Sequence, residues 1–497
     1  MLMEPIPHVE AMAAAADDRR ARLAFAAILV LAFGLRLALL SPYGFFHPDE
    51  TVQYLEQAHR LAFGTGVVPW DVRYGLRNAL VPLLLSVPMR IGEALDPGGD
   101  LYLLLPRLCV MLLSLGAIWA AWAIGRRHSP AHGLAAAAVL AIWYEAIIFA
   151  DHVMIEPIVT DCFLAAAALI DRPGRRRVAA GALLGFAAVL RPQYAPAAAI
   201  LALLELRRDW RGWGALVAGA VPVLLASACV DVAMGQIPFG QAFANLRLNV
   251  IEHRAAAIGG TLPPFAYLGM LLLQWGPLAL AAPLLIAPVA RRHLALLAAA
   301  LATLALHMAI GHKEYRYIWL PAETLLLLAA IGSAELATRA AAPARRRTAW
   351  LALILGWTAL SAGLAAVRPM PSYEAHYADR LRIARLAGKD ARLCGVAVYR
   401  TPYWTAGHAY LHRAVPLYLP WRTTPAAARR DLLRGTPAYN GLIAPADETD
   451  APRLGYRPIA CRGTGADGIC LWERPGGCDA RAAPDLEMQH VLRREDA

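Results

Sequence analysis

Lysine and charged residues in general are scarce in this sequence. Only 17% of its 497 residues are charged and 58% are hydrophobic, and lysine occurs only at Lys313 and Lys389. This composition is too apolar for a soluble protein of two or three domains, so it indicates an integral membrane protein. The net charge of +11 comes from arginines clustered between hydrophobic segments, which is typical of a topology signal. The predicted partner is therefore a lipid bilayer and not nucleic acid.

Motifs of soluble nucleotide-binding enzymes and of metal sites are also absent. The sequence has no Gly-rich phosphate loop and no dinucleotide fingerprint, so a soluble nucleotide has no evident binding site. It has no H-E-x-x-H or C-x-x-C spacing, which is typical of zinc sites. His47, Asp49 and Glu50 are residue types that bind divalent ions, but nothing else supports a metal. We assign no metal and no other cofactor.

Apolar runs long enough to cross a bilayer recur along the chain. We predict about eleven spans, at about 22–42, 101–124, 131–149, 155–171, 178–190, 193–206, 213–234, 264–289, 294–310, 318–337 and 349–367. With the N-terminus inside, every arginine cluster next to a predicted span falls on the cytoplasmic side, as positive loops should. These clusters are Arg19–Arg22, Arg126–Arg127, Arg175–Arg177, Arg207–Arg211, Arg291–Arg292 and Arg345–Arg347.

Two stretches decide this topology. Residues 78–95 are apolar but contain two prolines and Arg90, so we interpret them as an interfacial helix on the outer face. The runs 178–190 and 193–206 are short, and a hairpin keeps their flanking arginines on one side. Arg191 then lies at the hairpin turn, below the outer surface, where a cation is tolerated only beside protein or a water-filled cavity. A capping role for Arg191 is the alternative.

The spans divide the chain into three predicted parts. These are a cytoplasmic N-terminus (1–21), a transmembrane domain with an outer loop at 43–100 (22–367), and a soluble extracytoplasmic domain (368–497). Strand-like runs such as 394–399 and 439–445 in the last part predict an α/β or α+β domain. Its four cysteines, Cys394, Cys461, Cys470 and Cys478, are candidates for disulfides, with a 461–470 bridge as one hypothesis among several.

The outer loop begins with "FFHPDETVQ" at residues 45–53. Proline after His47 disfavours helix there and starts a new helix at Pro48, which places Asp49 and Glu50 in the first turn. Negative charge is favoured there by the helix dipole, and this alone would explain the acids. The functional alternative is that one carboxylate acts as a general base on a substrate hydroxyl.

A second charged motif, "GHKEYRY" at 311–317, lies at the outer end of a predicted span. One interpretation is an interfacial cluster with membrane-surface tyrosines. The other is a phosphate site, because Lys313 offers a compact charge and Arg316 a planar fork. A basic and an acidic site on one face suit a reaction in which a lipid-linked phosphate leaves and a hydroxyl attacks.

These motifs occur in the order found in a known family. The first motif, "HPDETVQ", is followed by "PWDVRYGLRN" and later by "HKEYRYIWLP", with weaker matches at "LRPQ" and "NLRLNV…GGTLPPFAYL". The chain therefore resembles the membrane mannosyltransferases that use dolichyl- or polyprenyl-phosphate mannose, glycosyltransferase family 22, which contains the glycosylphosphatidylinositol and N-glycan precursor mannosyltransferases. The resemblance runs from residue 22 to about 335.

The resemblance implies a polytopic α-helical GT-C fold and an inverting transfer of mannose from a polyprenyl-phosphate donor to an acceptor hydroxyl on the outer face. Asp49 would be the general base, with Glu50 orienting the acceptor or sharing that role. The implied donor-phosphate residues are Lys313, Arg316, His312 and Arg191. The implied acceptor-side residues are His47, Gln53, Trp70, Asp71 and Arg77.

Departures from the family pattern leave alternatives open. Asp71 and Asn78 replace the usual Glu and Ser, and "ADHVMIEPIVTD" at 150–161 is closer to lipid-donor transferases that modify proteins or lipid A. His152, Glu156 and Asp161 of this stretch are candidates to line the same cavity as the donor and acceptor residues. The acceptor is a glycan, glycolipid or protein, and the membrane is a bacterial inner membrane or an ER-type membrane. Alternative functions are transfer of another sugar (aminoarabinose or arabinofuranose), protein O-mannosylation, and, in another class, transport, against which the absence of a visible repeat argues.

Overall fold

A computed structural model describes residues 7–368, 370–420 and 424–495. The chain divides into two compact units. The first comprises Met1–Leu39, Val110–Ala150 and Ile155–Arg368, and the second comprises Leu40–Cys109, Asp151–Met154 and Pro369–Ala497.

All regular secondary structure among the described residues of the first unit is helical. Its α-helices are Pro7–Leu39, Pro130–Ile142, Tyr144–Ile148, Ile155–Leu169, Arg175–Leu190, Ala195–Leu206, Trp210–Ala233, Gly240–Asn245, Arg254–Gly259, Ala266–Trp275, Pro277–Ile286, Leu294–Ala309, Trp319–Ala340 and Arg346–Val367, and Leu246–Ile251 is a π-helix. The helix Leu101–Gly125 has residues in both units. Short 3-10 turns lie at Phe149–Asp151, Pro192–Tyr194, Tyr315–Ile318 and Pro343–Arg345.

Several helices are long and apolar enough to cross a membrane. Five qualify among the described residues, or up to seven if each of two bent helix pairs is one span. Shorter helices coincide with the remaining predicted runs: Ile155–Leu169, Arg175–Leu190, Ala195–Leu206 and Leu294–Ala309. The multi-span character is therefore present, and the count of about eleven spans stays a prediction.

Two of the predicted spans are bent sharply. The helices Ala266–Trp275 and Pro277–Ile286 meet at 99°, and the axes on either side of Trp143 meet at 63°. At the first bend Gly276 has φ +54°, a conformation that glycine adopts without strain, and Pro277 cannot continue the preceding helix. The predicted break between 178–190 and 193–206 is confirmed, because the first helix ends at Leu190 and a 3-10 turn follows Arg191.

Close helix packing in the first unit depends on small residues. A Cβ atom added to Gly219 would collide with the carbonyl oxygen of Val178, and one added to Gly181 with that of Leu216. The helices that contain these glycines, Arg175–Leu190 and Trp210–Ala233, therefore approach to backbone contact. Small residues permit this approach in membrane helix pairs, where apolar lipid gives no hydrophobic driving force.

The second unit combines the outer loop with the C-terminal part of the chain. Its α-helices are Glu56–Phe63, Trp70–Arg73, Leu80–Leu95, Met370–Lys389, His408–Leu411, Pro425–Gly435, Asp450–Arg453 and Met488–Glu495, and Glu50–Leu55 is a π-helix. Short 3-10 turns lie at Tyr403–Thr405, Thr436–Ala438, Gly465–Asp467 and Pro484–Leu486. Residues predicted to form an interfacial helix are helical at Leu80–Leu95, and their place at a membrane surface stays a prediction.

A mixed sheet organises the C-terminal part. Its strands are β1 (Val396–Val398), β2 (Leu417–Tyr418), β3 (Gly441–Pro445), β4 (Arg457–Arg462) and β5 (Ile469–Glu473). In the order β2-β1-β3-β5-β4, β1 pairs in parallel with β2 and β3, while β5 pairs antiparallel with β3 and β4. Both predicted strand-like runs, 394–399 and 439–445, contain strands.

Two disulfides and a buried acid stabilise the second unit. Cys461 bonds to Cys470, as one of the alternatives proposed, and Cys394 bonds to Cys478. Glu56, from the outer loop, is fully buried and accepts backbone N–H bonds from Val67 at 2.7 Å and Ala409 at 2.7 Å. A buried charge is stable only when its oxygens are bonded in this way. Glu56 therefore ties the loop to residues about 350 positions later, within one unit.

Candidate active site

The predicted acidic helix start is present in the second unit. Helical structure begins at Pro48, as predicted, and changes at Glu50 to a π-helix that extends to Leu55. All six residues of this π-helix are buried. Short π-helical segments are rare and frequently occur at functional sites.

Glu50 is sealed inside the protein. Its Oε1 accepts from Arg107 Nη1 at 2.7 Å and from the Val153 N–H at 3.0 Å, and its Oε2 contacts His152 Nδ1 at 2.9 Å. Burial alone would raise the pKa of this carboxyl, but the charges of Arg107 and His152 outweigh it and lower the pKa to about 2. Glu50 is therefore an ionised, fully bonded carboxylate that holds three chain segments together.

Asp49, by contrast, retains some exposure beside a second acid. Its side chain is 12% exposed, with His47 Nδ1 at 3.4 Å and Arg77 Nη2 at 3.5 Å. The Nε of Arg77 contacts Asp71 Oδ2 at 3.0 Å, so one guanidinium links the two acidic motifs predicted from the sequence. Burial raises the pKa of Asp71, with Arg77 opposing and Asp49 reinforcing that shift.

Other predicted acceptor-side residues lie in the same unit. Gln53 is buried in the π-helix, and its Oε1 has no hydrogen-bond partner among the described residues. Trp70 is half-buried beside Tyr74, with ring centroids 6.4 Å apart. The side chain of His47 is 25% exposed. The loop thus combines carboxylates, an arginine and an aromatic ring, the groups that suit a sugar face and its hydroxyls.

Arg107 is the residue of this cluster that the sequence interpretation missed. It is fully buried, and its Nη2 donates to the Gly44 carbonyl at 2.6 Å. An arginine within an apolar predicted span is costly unless it is paired. Its position at 107 therefore indicates a buried acidic partner. His152, a candidate to line the cavity, contacts Glu50.

The first unit holds the predicted phosphate-binding arginines around Glu156. Arg191 Nη1 lies 2.7 Å and Arg316 Nη1 3.3 Å from Glu156 Oε1, a buried carboxylate. Both guanidiniums also lie over the ring of Tyr317, at 4.8 and 5.0 Å from its centroid. The Nε of Arg191 is buried without a hydrogen-bond partner among the described residues. The two arginines are thus brought together from positions 125 residues apart, with donor capacity remaining on Arg191.

Lys313 and His312 have different surroundings. The Lys313 ammonium donates to the carbonyls of His307 at 3.3 Å, Met308 at 3.0 Å and Ile310. These carbonyls belong to the C-terminal end of a helix, where cations are favoured. His312 Nε2 contacts Glu314 Oε1 at 2.9 Å, and this carboxylate raises the pKa of the imidazole.

Residues suited to metal binding form one further group. Among the described residues, His128, His132 and Glu335 offer ligand atoms within 4.8 Å of one another. All three lie in the first unit, and none belongs to the acidic or basic motifs described above. Asp161, the remaining cavity candidate, is buried in the first unit within electrostatic reach of Glu323 and Arg36.

The fold is similar to that of solved membrane glycosyltransferases. ArnT from Cupriavidus metallidurans bound to undecaprenyl phosphate superposes with a TM-score of 0.59 at 15% identity, over 90% of this chain and 97% of that chain. The apo form of ArnT gives the same TM-score at 14% identity, over 92% and 98% of the two chains. This likeness defines the class: a polytopic α-helical membrane protein of the GT-C glycosyltransferase fold, as the sequence resemblance implied.

Sequence similarity identifies the family within that class. GPI mannosyltransferase 3 of Yarrowia lipolytica is 26% identical over 411 residues, 79% of this chain and 76% of that relative. Shorter matches include GPI mannosyltransferase 3 of Drosophila melanogaster, 35% identical over 18% of this chain and 16% of the relative, and Mannosyltransferase APTG1 of Arabidopsis thaliana, 42% identical over 12% and 11%. Residues 25–408 match the model of the Alg9-like mannosyltransferase family, so the chain belongs to that family. It is a multi-pass membrane mannosyltransferase.

Proposed function

We propose that the protein transfers mannose from a polyprenyl-phosphate donor to an acceptor hydroxyl on the extracytoplasmic face, with inversion at the anomeric carbon. Asp49 takes the proton of the acceptor hydroxyl, whose oxygen attacks C1 of the mannosyl group. The bond between C1 and the phosphate oxygen breaks, and polyprenyl phosphate leaves with the bonding electron pair. A β-linked donor then gives an α-linked product.

The contrast between Asp49 and Glu50 is the observation that carries the proposal. Glu50 has both oxygens bonded and is inaccessible, so it positions the segment and does not exchange protons. Asp49 is its neighbour, keeps 12% side-chain exposure and lies beside Arg77. A general base must reach its substrate hydroxyl, and of the two acids Asp49 meets this requirement better.

The donor phosphate is assigned to Arg191 and Arg316. Planar guanidinium forks suit a phosphate better than a point charge does, and Glu156 orients both of them. Because the ammonium of Lys313 is directed at three carbonyls, we assign it to holding the motif in place. The undecaprenyl phosphate bound to the structurally similar ArnT supports a polyprenyl-phosphate donor.

The test is a transfer assay with the purified full-length chain in lipid nanodiscs. The donor is radiolabelled polyprenyl-phosphate mannose, and the acceptors are a panel of glycolipids of the GPI type, oligomannose glycans and peptides. We expect Asp49→Asn to lower the rate about 10²- to 10⁴-fold and the exposed-loop control Asp96→Asn to keep it. Wild-type product should be sensitive to α-mannosidase.

Two outcomes would overturn separate parts of the proposal. Full activity of Asp49→Asn would remove the general-base assignment. Failure of wild type to transfer mannose to any acceptor, with transfer from polyprenyl-phosphate aminoarabinose instead, would overturn the donor assignment.

A further inference from the structure

Three histidines and a glutamate lie together in the first unit, in segments that the proposed transfer does not use. His128, His132 and Glu335 offer ligand atoms within 4.8 Å of one another, and His293 contacts His128. We propose that these four side chains form a binding site for a divalent transition-metal ion of the Zn²⁺ type. Such an ion would link the starts of the helices at Pro130 and Leu294 to the helix that carries Glu335.

The spacing of the ligand atoms supports the site. The Nε2 atoms of His128 and His293 are 2.9 Å apart, and His132 Nε2 is 3.0 Å from Glu335 Oε2. Two ligands of a tetrahedral zinc ion, each at about 2.0 Å from the metal, lie about 3.3 Å apart. Both pairs therefore have nearly the required separation. The rings of His128 and His132 are 5.3 Å apart, and this brings the two pairs together.

The neighbouring groups fix the ligands in suitable orientations. Ser129 Oγ contacts His132 Nδ1 at 2.7 Å, which leaves the Nε2 atom directed at the cluster. Arg339 Nε donates to Glu335 Oε1 at 2.7 Å, which leaves Oε2 directed at it. Metal-binding histidines and carboxylates are commonly held by such hydrogen bonds through their other polar atom.

Nearby arginines oppose the binding of a metal ion, and the ligand types limit which ion fits. Arg127 and Arg292 flank the histidines, and Arg292 donates to the Arg127 carbonyl. Arg292 is exposed, so solvent and salt screen its charge. A set of three imidazoles and one carboxylate suits zinc, cobalt, nickel or copper and not calcium or magnesium, which prefer oxygen ligands.

The test uses Co²⁺ and Zn²⁺ on the untagged full-length protein after treatment with a chelator. A tetrahedral site should give the intense visible absorption of four-coordinate Co²⁺, which Zn²⁺ then abolishes by displacement. We expect His128→Gln and His132→Gln each to weaken Co²⁺ binding at least about tenfold. His490→Gln, at a histidine with 47% side-chain exposure, serves as the matched control and should bind as wild type.

Thermal unfolding separates a metal site from a hydrogen-bonded histidine cluster. Saturating Zn²⁺ should raise the unfolding midpoint of wild type and of His490→Gln, because an ion that binds only the folded state stabilises it. It should not raise the midpoint of His128→Gln or His132→Gln. Wild type without saturable Co²⁺ binding, or variants that bind it as tightly as wild type, would overturn the proposal.

Discussion

At the residue scale, the adjacent acids Asp49 and Glu50 differ in burial and in bonding partners. Asp49 and Glu50 are neighbours in the sequence, yet Glu50 is fully buried against Arg107 while the Asp49 side chain is partly exposed. In helical structure, successive side chains point in directions about 100° apart, so two neighbours readily reach different environments. We infer a division of roles in which one acid fixes the segment and the other reacts.

Replacing Glu50 tests the first of these roles. Glu50→Gln leaves Arg107 buried without its counter-charge, which costs about 3–5 kcal/mol of stability, so the thermal unfolding midpoint should fall clearly. Glu487→Gln, a change at a half-exposed acid, should leave the midpoint unchanged. Equal midpoints for Glu50→Gln and wild type would contradict the stabilising role.

The same ion pair has a predictable pH dependence. The pKa of Glu50 is lowered from 4.5 to about 2 in the folded protein. Its contribution to the free energy of unfolding is therefore fully present above pH 4.5. That contribution is lost as pH falls from 4.5 through 2, because the unfolded chain takes up the proton first. The difference in unfolding midpoint between wild type and Glu50→Gln should be constant from about pH 5 to 8 and shrink in more acidic buffers.

The arginine pair around Glu156 permits a test of donor binding. Arg191→Lys and Arg316→Lys keep the charge but remove the planar fork, so each should raise the donor KM about tenfold to a hundredfold with little change in the acceptor KM. Because both contact one carboxylate, their effects should not be additive. Arg247→Lys, at an exposed ion pair, is the matched control. An unchanged donor KM would argue against the phosphate assignment.

At the element scale, glycine decides how closely two helices approach. Gly219→Ala introduces a methyl group against the Val178 carbonyl, so we expect a loss of about 1–3 kcal/mol and a lower unfolding midpoint. Gly214 lies on the same helix and has open space around its Cβ position. Gly214→Ala should therefore be neutral or slightly stabilising, since alanine favours helix. Similar effects at both positions would rule out the packing explanation.

The sequence predicted elements better than it predicted contacts. The helix start at Pro48 follows from local proline chemistry, and the break at Arg191 follows from the short apolar runs and the arginine clusters that flank them. Both are present. The partner of Glu50 was missed because Arg107 is 57 residues away and lies in an apolar run. The direction of the Lys313 ammonium was also unpredictable, because a lysine at a span end serves a helix terminus or a ligand equally well. The bend at Gly276 had a readable signal, the Gly-Pro dipeptide.

At the scale of the whole molecule, the arginine clusters predict which ends of the helices face the cytoplasm. Variants with a single labelling site test this, after Cys109, Cys162 and Cys229, the free cysteines, are replaced by alanine. On intact cells an impermeant maleimide should label Asp447→Cys and leave Arg176→Cys unlabelled. Both should react after permeabilisation, which controls for accessibility. The reverse pattern would invert the predicted topology and move the proposed site to the other face.

The bridge between Cys394 and Cys478 spans 84 positions of the chain, and it closes a covalent ring. The ring includes all five strands, β1 to β5, and also contains the smaller Cys461–Cys470 loop. A single protease cut between residues 394 and 461 therefore releases no fragment, and the nicked protein migrates as one chain until reductant is added. The C-terminal part of this enzyme can therefore lose backbone continuity and still remain covalently attached to the rest of the chain.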